Sequence, residues 1–170
     1  EKRTAITSFL FFIFLFSLFL FPLFVIRHPP FVIVFIHASA EIDVAATALI
    51  RGAFEYQGQK CSAVSRAYIP SNLWPSLREK LADEIKTIKV GDVNDFSNFM
   101  GAVIDQAAFS KIAGYIEYAK GSNDAEIIHG GHCDDSKGYF IDPTVIVVTA
   151  PKHKLMVEEI FGPVLTLFIY

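Results

Sequence analysis

The sequence predicts an α/β fold for residues 31–170, a layer of parallel-type strands with flanking helices. Two observations predict it: apolar runs of strand length alternate with stretches of helical periodicity, and Gly, Pro or Asp residues separate them. A chain of 170 residues is long enough to bury one sizeable core. It therefore holds at most one complete domain, or a piece of one.

The first part of this region predicts a strand, a helix and a second strand. Residues 31–36, FVIVFI, form a continuous apolar run that is typical of a buried parallel strand. Residues 42–56 lack Pro and are rich in Ala, which predicts a helix. The spacing of apolar residues predicts its inward face as Val44, Ala48, Ile50 and Phe54. Residues 63–69 predict the second strand, which ends at Pro70.

Two amphipathic helices and three further strands are predicted next. Ser71 or Asn72 is expected to cap the first helix, and Asp105 the second, which ends at Gly121. The inward faces are predicted to be Trp74, Leu77, Leu81, Ile85 and Ile88 in the first helix, and Phe109, Ile112, Ile116 and Ala119 in the second. The strands are predicted at residues 126–129, 139–148 and 164–169.

Residues 1–30 differ so strongly in composition that they are predicted to lie outside the folded domain. No charged residue occurs from Thr4 to Ile26, and eight of the 17 phenylalanines lie between Phe9 and Phe24. An uncharged run longer than about 18 residues fits a transmembrane helix, and Lys2 and Arg3 would favour a cytoplasmic N-terminus. The low complexity of the run equally indicates sequence that is not native coding sequence. Both interpretations stay open, and a membrane is an expected partner only under the first.

Composition and motifs exclude several functions for the remainder. The net charge is -3 and no Lys/Arg cluster occurs, so nucleic acid is not an expected partner. No GxGxxG or GxxxxGK[ST] loop is present to cradle a phosphate. The His, Cys and Asp residues within 129–135 lack the spacing of a zinc site, so no metal is expected. Two cysteines are too few for a disulfide framework and indicate reduced thiols.

The stretch that carries chemistry is FEYQGQKCSAVSR, residues 54–66. Cys61 follows a helix on a predicted loop, beside Lys60 and small residues, a setting in which a thiolate is accessible and stabilised. From chemistry alone, a buried apolar cysteine is the commoner outcome for a single Cys. The wider sequence context therefore decides the interpretation.

That context resembles the aldehyde dehydrogenase superfamily over residues 31–170. The pattern FxxxGQxCxAxSR around Cys61 is similar to the active-site signature of the family, and EEIFGP at residues 158–163 is similar to its cofactor-contact motif, in the same order. The segments GQKCSA, SNLWPSL, IKVGD, NFMGAVID and GGHCDDSKGYFIDPT resemble most the Δ1-pyrroline-5-carboxylate dehydrogenase subfamily, whose members oxidise L-glutamate γ-semialdehyde in proline degradation. The chain is thus expected to be a fragment of such a catalytic domain.

The resemblance implies a role for four residues. Cys61 would attack the aldehyde carbon, and its backbone N–H would help to hold the oxyanion. The thiohemiacetal would lose hydride to the nicotinamide of NAD, with NADP as the alternative cofactor, and water would hydrolyse the remaining thioester to the carboxylate. Glu159 would accept hydrogen bonds from the nicotinamide ribose, Phe161 would pack by the nicotinamide ring, and Ser62 is a candidate substrate contact.

The sequence also departs from the family. The glutamate that activates water in the family belongs in a Gly-rich motif just before the strand at residues 31–36, where this chain reads VIRHPP. We therefore expect the chain alone to bind cofactor poorly and not to turn over. The parent enzyme is expected to be a homo-oligomer of the mitochondrial matrix. The alternatives are a membrane-anchored, non-catalytic protein that keeps this fold, and another semialdehyde dehydrogenase.

Overall fold

A computed structural model describes residues 23–28 and 31–170, which form one six-stranded sheet, a small two-stranded sheet and four α-helices. The strands are β1 (Leu23–His28), β2 (Phe31–Ile36), β3 (Val64–Ile69), β4 (Ala125–His129), β5 (Cys133–Asp134), β6 (Phe140–Ile141), β7 (Thr144–Val148) and β8 (Val164–Ile169). The helices are α1 (Ile42–Phe54), α2 (Trp74–Lys86), α3 (Gln106–Gly121) and α4 (Lys154–Val157), and a 3-10 segment spans Glu55–Gly58.

The large sheet is parallel at its centre and antiparallel at both edges. Its strand order is β1-β2-β3-β8-β7-β4, with β2, β3, β8 and β7 mutually parallel. The edge strands β1 and β4 pair antiparallel with β2 and β7. The predicted α/β class, a mostly parallel sheet with flanking helices, is confirmed. Antiparallel edges on a parallel centre are common in large sheets of this class.

Strand β1 lies in the part of the chain that was predicted to be separate from the fold. Residues 23–28 pair along their whole length with β2, so the transmembrane-helix interpretation is wrong for residues 23–26, and the rest of that segment lies outside the described residues. No helix in residues 23–28 and 31–170 has the length and apolar character that a membrane span requires.

Two hydrophobic cores lie on opposite faces of the sheet. The first packs α1 and α2 against β2, β3 and β8, and the second packs α3 and α4 against β7 and β8. Leu77, Leu81 and Ile85 of α2 are buried as predicted, and so are Ile112 and Ile116 of α3. The two predicted helix faces are therefore confirmed.

Helix α1 buries the predicted Ile50 and Phe54, but the rest of its buried face differs from the prediction. Val44 is 44% exposed and Ala48 is only partly buried, whereas Ala45, Ala46, Leu49 and Ala53 are buried. Small alanines at the contact let the helix pack closely against α2 and the sheet. The helix ends at Phe54, two residues earlier than predicted.

Two further boundaries differ from the prediction. Helix α2 has Leu73 at its N-cap with no side-chain cap, so neither Ser71 nor Asn72 has that role, and Pro75 lies in its first turn where a missing N–H costs nothing. The predicted strand 139–148 divides into β6 and β7, which Asp142 and Pro143 separate. For α3 the cap is as predicted, because the Asp105 side chain accepts from the Ala108 N–H at 2.7 Å.

The end of α1 touches the segment before β8 through two glycines. Gly58 has φ +66°, and a Cβ placed on it would lie 2.3 Å from the Gly162 carbonyl oxygen and 2.7 Å from that of Ala53. A Cβ on Gly162 would in turn lie 2.4 Å from Ile112 Cδ1 of α3. This close approach of two backbones connects the segment after α1 with the segment before β8.

Truncation in the second core should cost more than the same truncation at the surface. Ile116 is fully buried, so Ile116→Ala removes packing and leaves a cavity; we expect it to lower the free energy of unfolding by about 2–5 kcal/mol. Ile104 is 81% exposed, and Ile104→Ala should change stability by less than about 0.5 kcal/mol. Denaturant unfolding measures both, and equal losses would contradict the placement of α3.

An alanine at Gly58 should destabilise the fold, whereas the same change in α3 should not. Gly58→Ala combines a left-handed backbone with an overlap against Gly162, and we expect a loss of at least about 2 kcal/mol in the free energy of unfolding. Gly114 is an exposed glycine inside α3 with open space at its Cβ, so Gly114→Ala should stabilise by about 0.5–1 kcal/mol. Thermal or denaturant unfolding distinguishes the two, and a neutral Gly58→Ala would show that the backbones do not approach this closely.

Candidate active site around Cys61

Cys61 lies on an exposed turn between the 3-10 segment and β3. The Ala63 N–H donates to the Lys60 carbonyl at 3.0 Å and closes a four-residue turn that contains Cys61. Tyr56, Gln57 and Gly58 come just before it with φ of 52°, 57° and 66°. Three successive left-handed residues reverse the chain sharply after α1, which is how Cys61 comes to face outward instead of joining the core.

Two glutamine side chains hold this turn in place. Gln59 Oε1 accepts the Ile104 N–H at 3.0 Å, and Gln57 Nε2 donates to the Ala102 carbonyl at 3.2 Å. Gln59 accepts and Gln57 donates, and both partners lie in the loop before α3. The two bonds fix the segment before Cys61 from the side opposite the sheet and satisfy backbone groups that a loop would otherwise expose.

The positive charge predicted beside Cys61, that of Lys60, is paired with a carboxylate in the structure. Lys60 Nζ lies 3.3 Å from Glu55 Oε2, and the other Glu55 oxygen lies 2.6 Å from Arg51 Nη2. The hydrogen bond from Lys60, followed by that from Arg51, lowers the pKa of Glu55 below its ordinary value. The sequence showed Lys60 next to Cys61 but not the carboxylate that pairs with it, since Glu55 reaches Lys60 only after the chain reverses.

The second motif, residues 158–163, forms the loop that leads into β8. Phe161 has a left-handed φ of 60°, which is uncommon for an aromatic residue and indicates a backbone fixed by its surroundings. Its side chain is 39% exposed. Tyr115 of α3 donates to Glu158 Oε2 at 2.7 Å, and this bond raises the pKa of Tyr115.

A small cleft brings the two motifs together. Its lining residues are Val32, Gly58, Lys60, Cys61, Ala63, Val64, Ser65, Glu159, Phe161 and Gly162. Cys61, Glu159 and Phe161, which the sequence singled out separately, thus share one site. Ser62 is exposed and does not line this cleft; the adjacent hydroxyl that does belongs to Ser65.

The cleft lies at the amino ends of β2, β3 and β8, because Cys61 precedes β3 and the loop with Glu159 precedes β8. Ligands of open α/β sheets usually bind at the carboxyl ends of the strands. The volume is about 20 Å³, which is room for one water molecule. The described residues therefore supply one wall of a site.

Sequence reasoning assigned no role to Arg66, although it is the last residue of the first signature. Arg66 lies in β3, is only 3% exposed, and donates to the Met156 and Glu158 carbonyls. A charged residue inside a predicted buried strand was the signal that could have identified it, because an Arg is almost never buried without partners. Among the described residues, no three His, Cys, Asp or Glu side chains gather in a way that could hold a metal ion.

Comparison with known proteins finds relatives that match most of this chain. The chain is 56% identical over 137 residues to the mitochondrial Δ1-pyrroline-5-carboxylate dehydrogenase of Danio rerio, which covers 80% of this chain and 25% of the relative. It is 54% identical over 136 residues to the enzyme of that name from Dictyostelium discoideum, covering 80% and 24%. The chain thus spans about a quarter of the length of these relatives.

Solved structures agree in fold. The Δ-pyrroline-5-carboxylate dehydrogenase of Mycobacterium tuberculosis bound with NAD superposes with a TM-score of 0.73 at 47% identity, over 81% of this chain and 24% of that one. The 1-pyrroline-5-carboxylate dehydrogenase from Thermus with bound NAD has a TM-score of 0.73 at 33% identity, over 81% and 26%. The aldehyde dehydrogenase family model matches residues 32–170. Through these residues, the chain belongs to the aldehyde dehydrogenase family.

Proposed function

We propose that this chain supplies the nucleophile and one wall of the cofactor site of an NAD(P)-dependent aldehyde dehydrogenase that oxidises L-glutamate γ-semialdehyde to L-glutamate. The observation that carries the proposal is that Cys61, Glu159 and Phe161 line one cleft although they come from two distant segments. The semialdehyde, which forms when the ring of Δ1-pyrroline-5-carboxylate opens, is chosen because the relatives named above are dehydrogenases of that compound.

The chemistry assigned to Cys61 follows from its exposure and its place on a turn. Its thiolate sulfur adds to the aldehyde carbon and forms a thiohemiacetal, while the Cys61 backbone N–H donates to the developing oxyanion. Loss of hydride from that carbon gives a thioester on Cys61. Water then cleaves the thioester, releasing the carboxylate and the free thiol.

The residues opposite Cys61 suit a nicotinamide nucleotide. The Glu159 carboxylate can accept hydrogen bonds from both hydroxyls of a ribose, and the half-exposed Phe161 ring offers an apolar surface to an aromatic ring. When bound there, the nicotinamide would accept the hydride. Since the cleft has room for about one water, Glu159 and Phe161 form one side of that site, and a site of about 300–1,000 Å³ needs further walls.

The glutamate that activates water in the family is not found just before β2, and Glu55 does not replace it. Residues 25–30, VIRHPP, precede β2 and contain no glutamate. Glu55 is paired with Lys60 and Arg51, which lowers its pKa and makes it a poor proton acceptor. We therefore infer that the 170-residue chain alone does not turn over and binds the nucleotide weakly.

The wider setting of the parent enzyme is proposed by likeness alone. The relatives from Danio rerio and Dictyostelium discoideum are named mitochondrial, which supports a place in the mitochondrial matrix and in proline degradation. The parent is expected to form a homo-oligomer. Sequencing of the complete transcript in both directions shows whether a Gly-rich segment with a glutamate precedes residue 31 in frame, as the proposal requires.

The two thiols should react at different rates. Cys61 is exposed, whereas Cys133 is half-buried and burial raises the pKa of its thiol. Because the thiolate is the reactive form, iodoacetamide at mildly alkaline pH should modify Cys61 first, by about tenfold or more. Peptide mass spectrometry after brief labelling measures both sites, with Cys133→Ala and Cys61→Ala as single-thiol controls. Faster labelling of Cys133 would contradict the exposed turn.

Activity should depend on Cys61 and not on Cys133. In the product of the complete transcript, Cys61→Ser should lower NADH formation from Δ1-pyrroline-5-carboxylate by at least about 10³-fold, because the hydroxyl is not ionised at neutral pH. Cys133→Ser, the same change at the other thiol, should keep most of the activity. Full activity of Cys61→Ser, or none in the unsubstituted product with any aldehyde, would reject the proposed function and favour a non-catalytic protein with this fold.

A further inference from the structure

The buried guanidinium of Arg66 lies between the strand that follows Cys61 and the loop that carries Glu159. Arg66 is on β3, five residues after Cys61, and its two terminal nitrogens donate to different carbonyls: Nη1 to Met156, and Nη2 to Glu158 at 3.2 Å. The planar fork of an arginine suits two acceptors that are fixed relative to each other. One side chain therefore fixes two points of the backbone just before Glu159.

Glu158 is held from a second direction. Its carboxylate accepts from Tyr115 of α3 at 2.7 Å, while its carbonyl accepts from Arg66. The backbone at Glu158 is extended, with φ -98° and ψ 148°. Successive side chains of extended backbone point to opposite sides. Fixing Glu158 towards α3 thus turns Glu159 towards the cleft, and the motif needs two consecutive glutamates for two different tasks.

Charge supports the same arrangement. Burial lowers the pKa of Arg66, and the nearby Tyr68 and Glu159 oppose that effect. A guanidinium that is only 3% exposed is costly unless carbonyls and negative groups compensate for the lost water. The Met156 and Glu158 carbonyls and Glu159 belong to the segment that forms one side of the cleft, so this part of the compensation ties the segment to β3.

From this arrangement we infer that Arg66 is a positioning residue, which holds the 156–158 backbone so that Glu159 and Phe161 face Cys61. The inference rests on the proposed function only for what Glu159 and Phe161 bind; the positioning itself is a property of the chain. Removal of the guanidinium leaves the Met156 and Glu158 carbonyls without their donor, and the loop then takes several positions.

The test uses the 170-residue chain with Cys133→Ser and a trifluoromethyl label on Cys61. The label reports the distance of the Phe161 ring through its ¹⁹F chemical shift, which general stability does not move. The first variant, Arg66→Met, removes both the charge and the paired N–H donors of the guanidinium. The second, Arg66→Lys, keeps the charge but not the paired donors. Arg78→Met and Arg78→Lys are the matched controls, because Arg78 is exposed and pairs with Glu126 at 3.1 Å far from the cleft.

We expect one narrow resonance in the unsubstituted chain and in both Arg78 variants, and a shifted, broadened or split resonance in Arg66→Met. Arg66→Lys should fall between them, since one ammonium reaches one carbonyl. In parallel, hydrogen exchange of the Glu158 amide, which donates to the Lys154 carbonyl at 2.9 Å, should rise at least about tenfold in Arg66→Met while β8 amides keep their protection.

An unchanged resonance and unchanged Glu158 exchange in Arg66→Met would overturn the inference. So would a uniform rise in exchange over β3 and β8, which would show that Arg66 supports the core in general. If Arg66→Met does not fold, Arg66→Lys decides in the same way. Addition of NAD to the complete enzyme is a separate arm: a label that does not respond to nucleotide there counts against the cofactor role of Glu159, not against the positioning by Arg66.

Discussion

The contact between the backbones of Gly58 and Gly162 is the constraint on which the rest of the site depends. A Cβ on either residue would overlap its neighbours, 2.3 Å from the Gly162 carbonyl oxygen in one case and 2.4 Å from Ile112 Cδ1 in the other. Only glycine combines this approach with the φ of +66° at Gly58. Because the first glycine ends the α1 region and the second precedes β8, their contact couples the two cores and sets the width of the cleft between Cys61 and Glu159.

The surrounding polar contacts fix each side of that cleft separately. Gln57 and Gln59 attach the turn before Cys61 to the loop before α3. Arg66 and Tyr115 attach the loop before Glu159 to β3 and α3. The first anchor leads to the loop before α3 and the second to β3 and α3, so each side of the cleft is held by groups outside it. A site in which the supporting bonds are satisfied before any ligand arrives pays less to order itself on binding.

The share of its relatives that the chain spans and the small volume of the cleft lead to the same conclusion: the described residues form part of a site. The chain spans about a quarter of the relatives it matches, and its cleft of about 20 Å³ offers one wall with a nucleophile, a carboxylate and an aromatic ring. The nearest carboxylate in sequence before Cys61, Glu55, is committed to Lys60 and Arg51. The wall can hold and orient reacting groups, whereas Glu55 is not available to take a proton from water.

The sequence by itself determined the α/β class, the strand at residues 31–36, the inward faces of α2 and α3 and the Asp105 cap, since apolar periodicity and capping chemistry act over a few residues. It also identified the two motifs that contain Cys61, Glu159 and Phe161. It did not determine that residues 23–28 join the sheet, that Ala45, Ala46 and Ala53 lie on the buried face of α1, or that Glu55 pairs with Lys60. The tertiary structure decided these, together with the placement of Arg66 and the exclusion of Ser62 from the cleft. Each depends on contacts between residues far apart in the chain, and local spacing carries no information about which distant group will lie opposite.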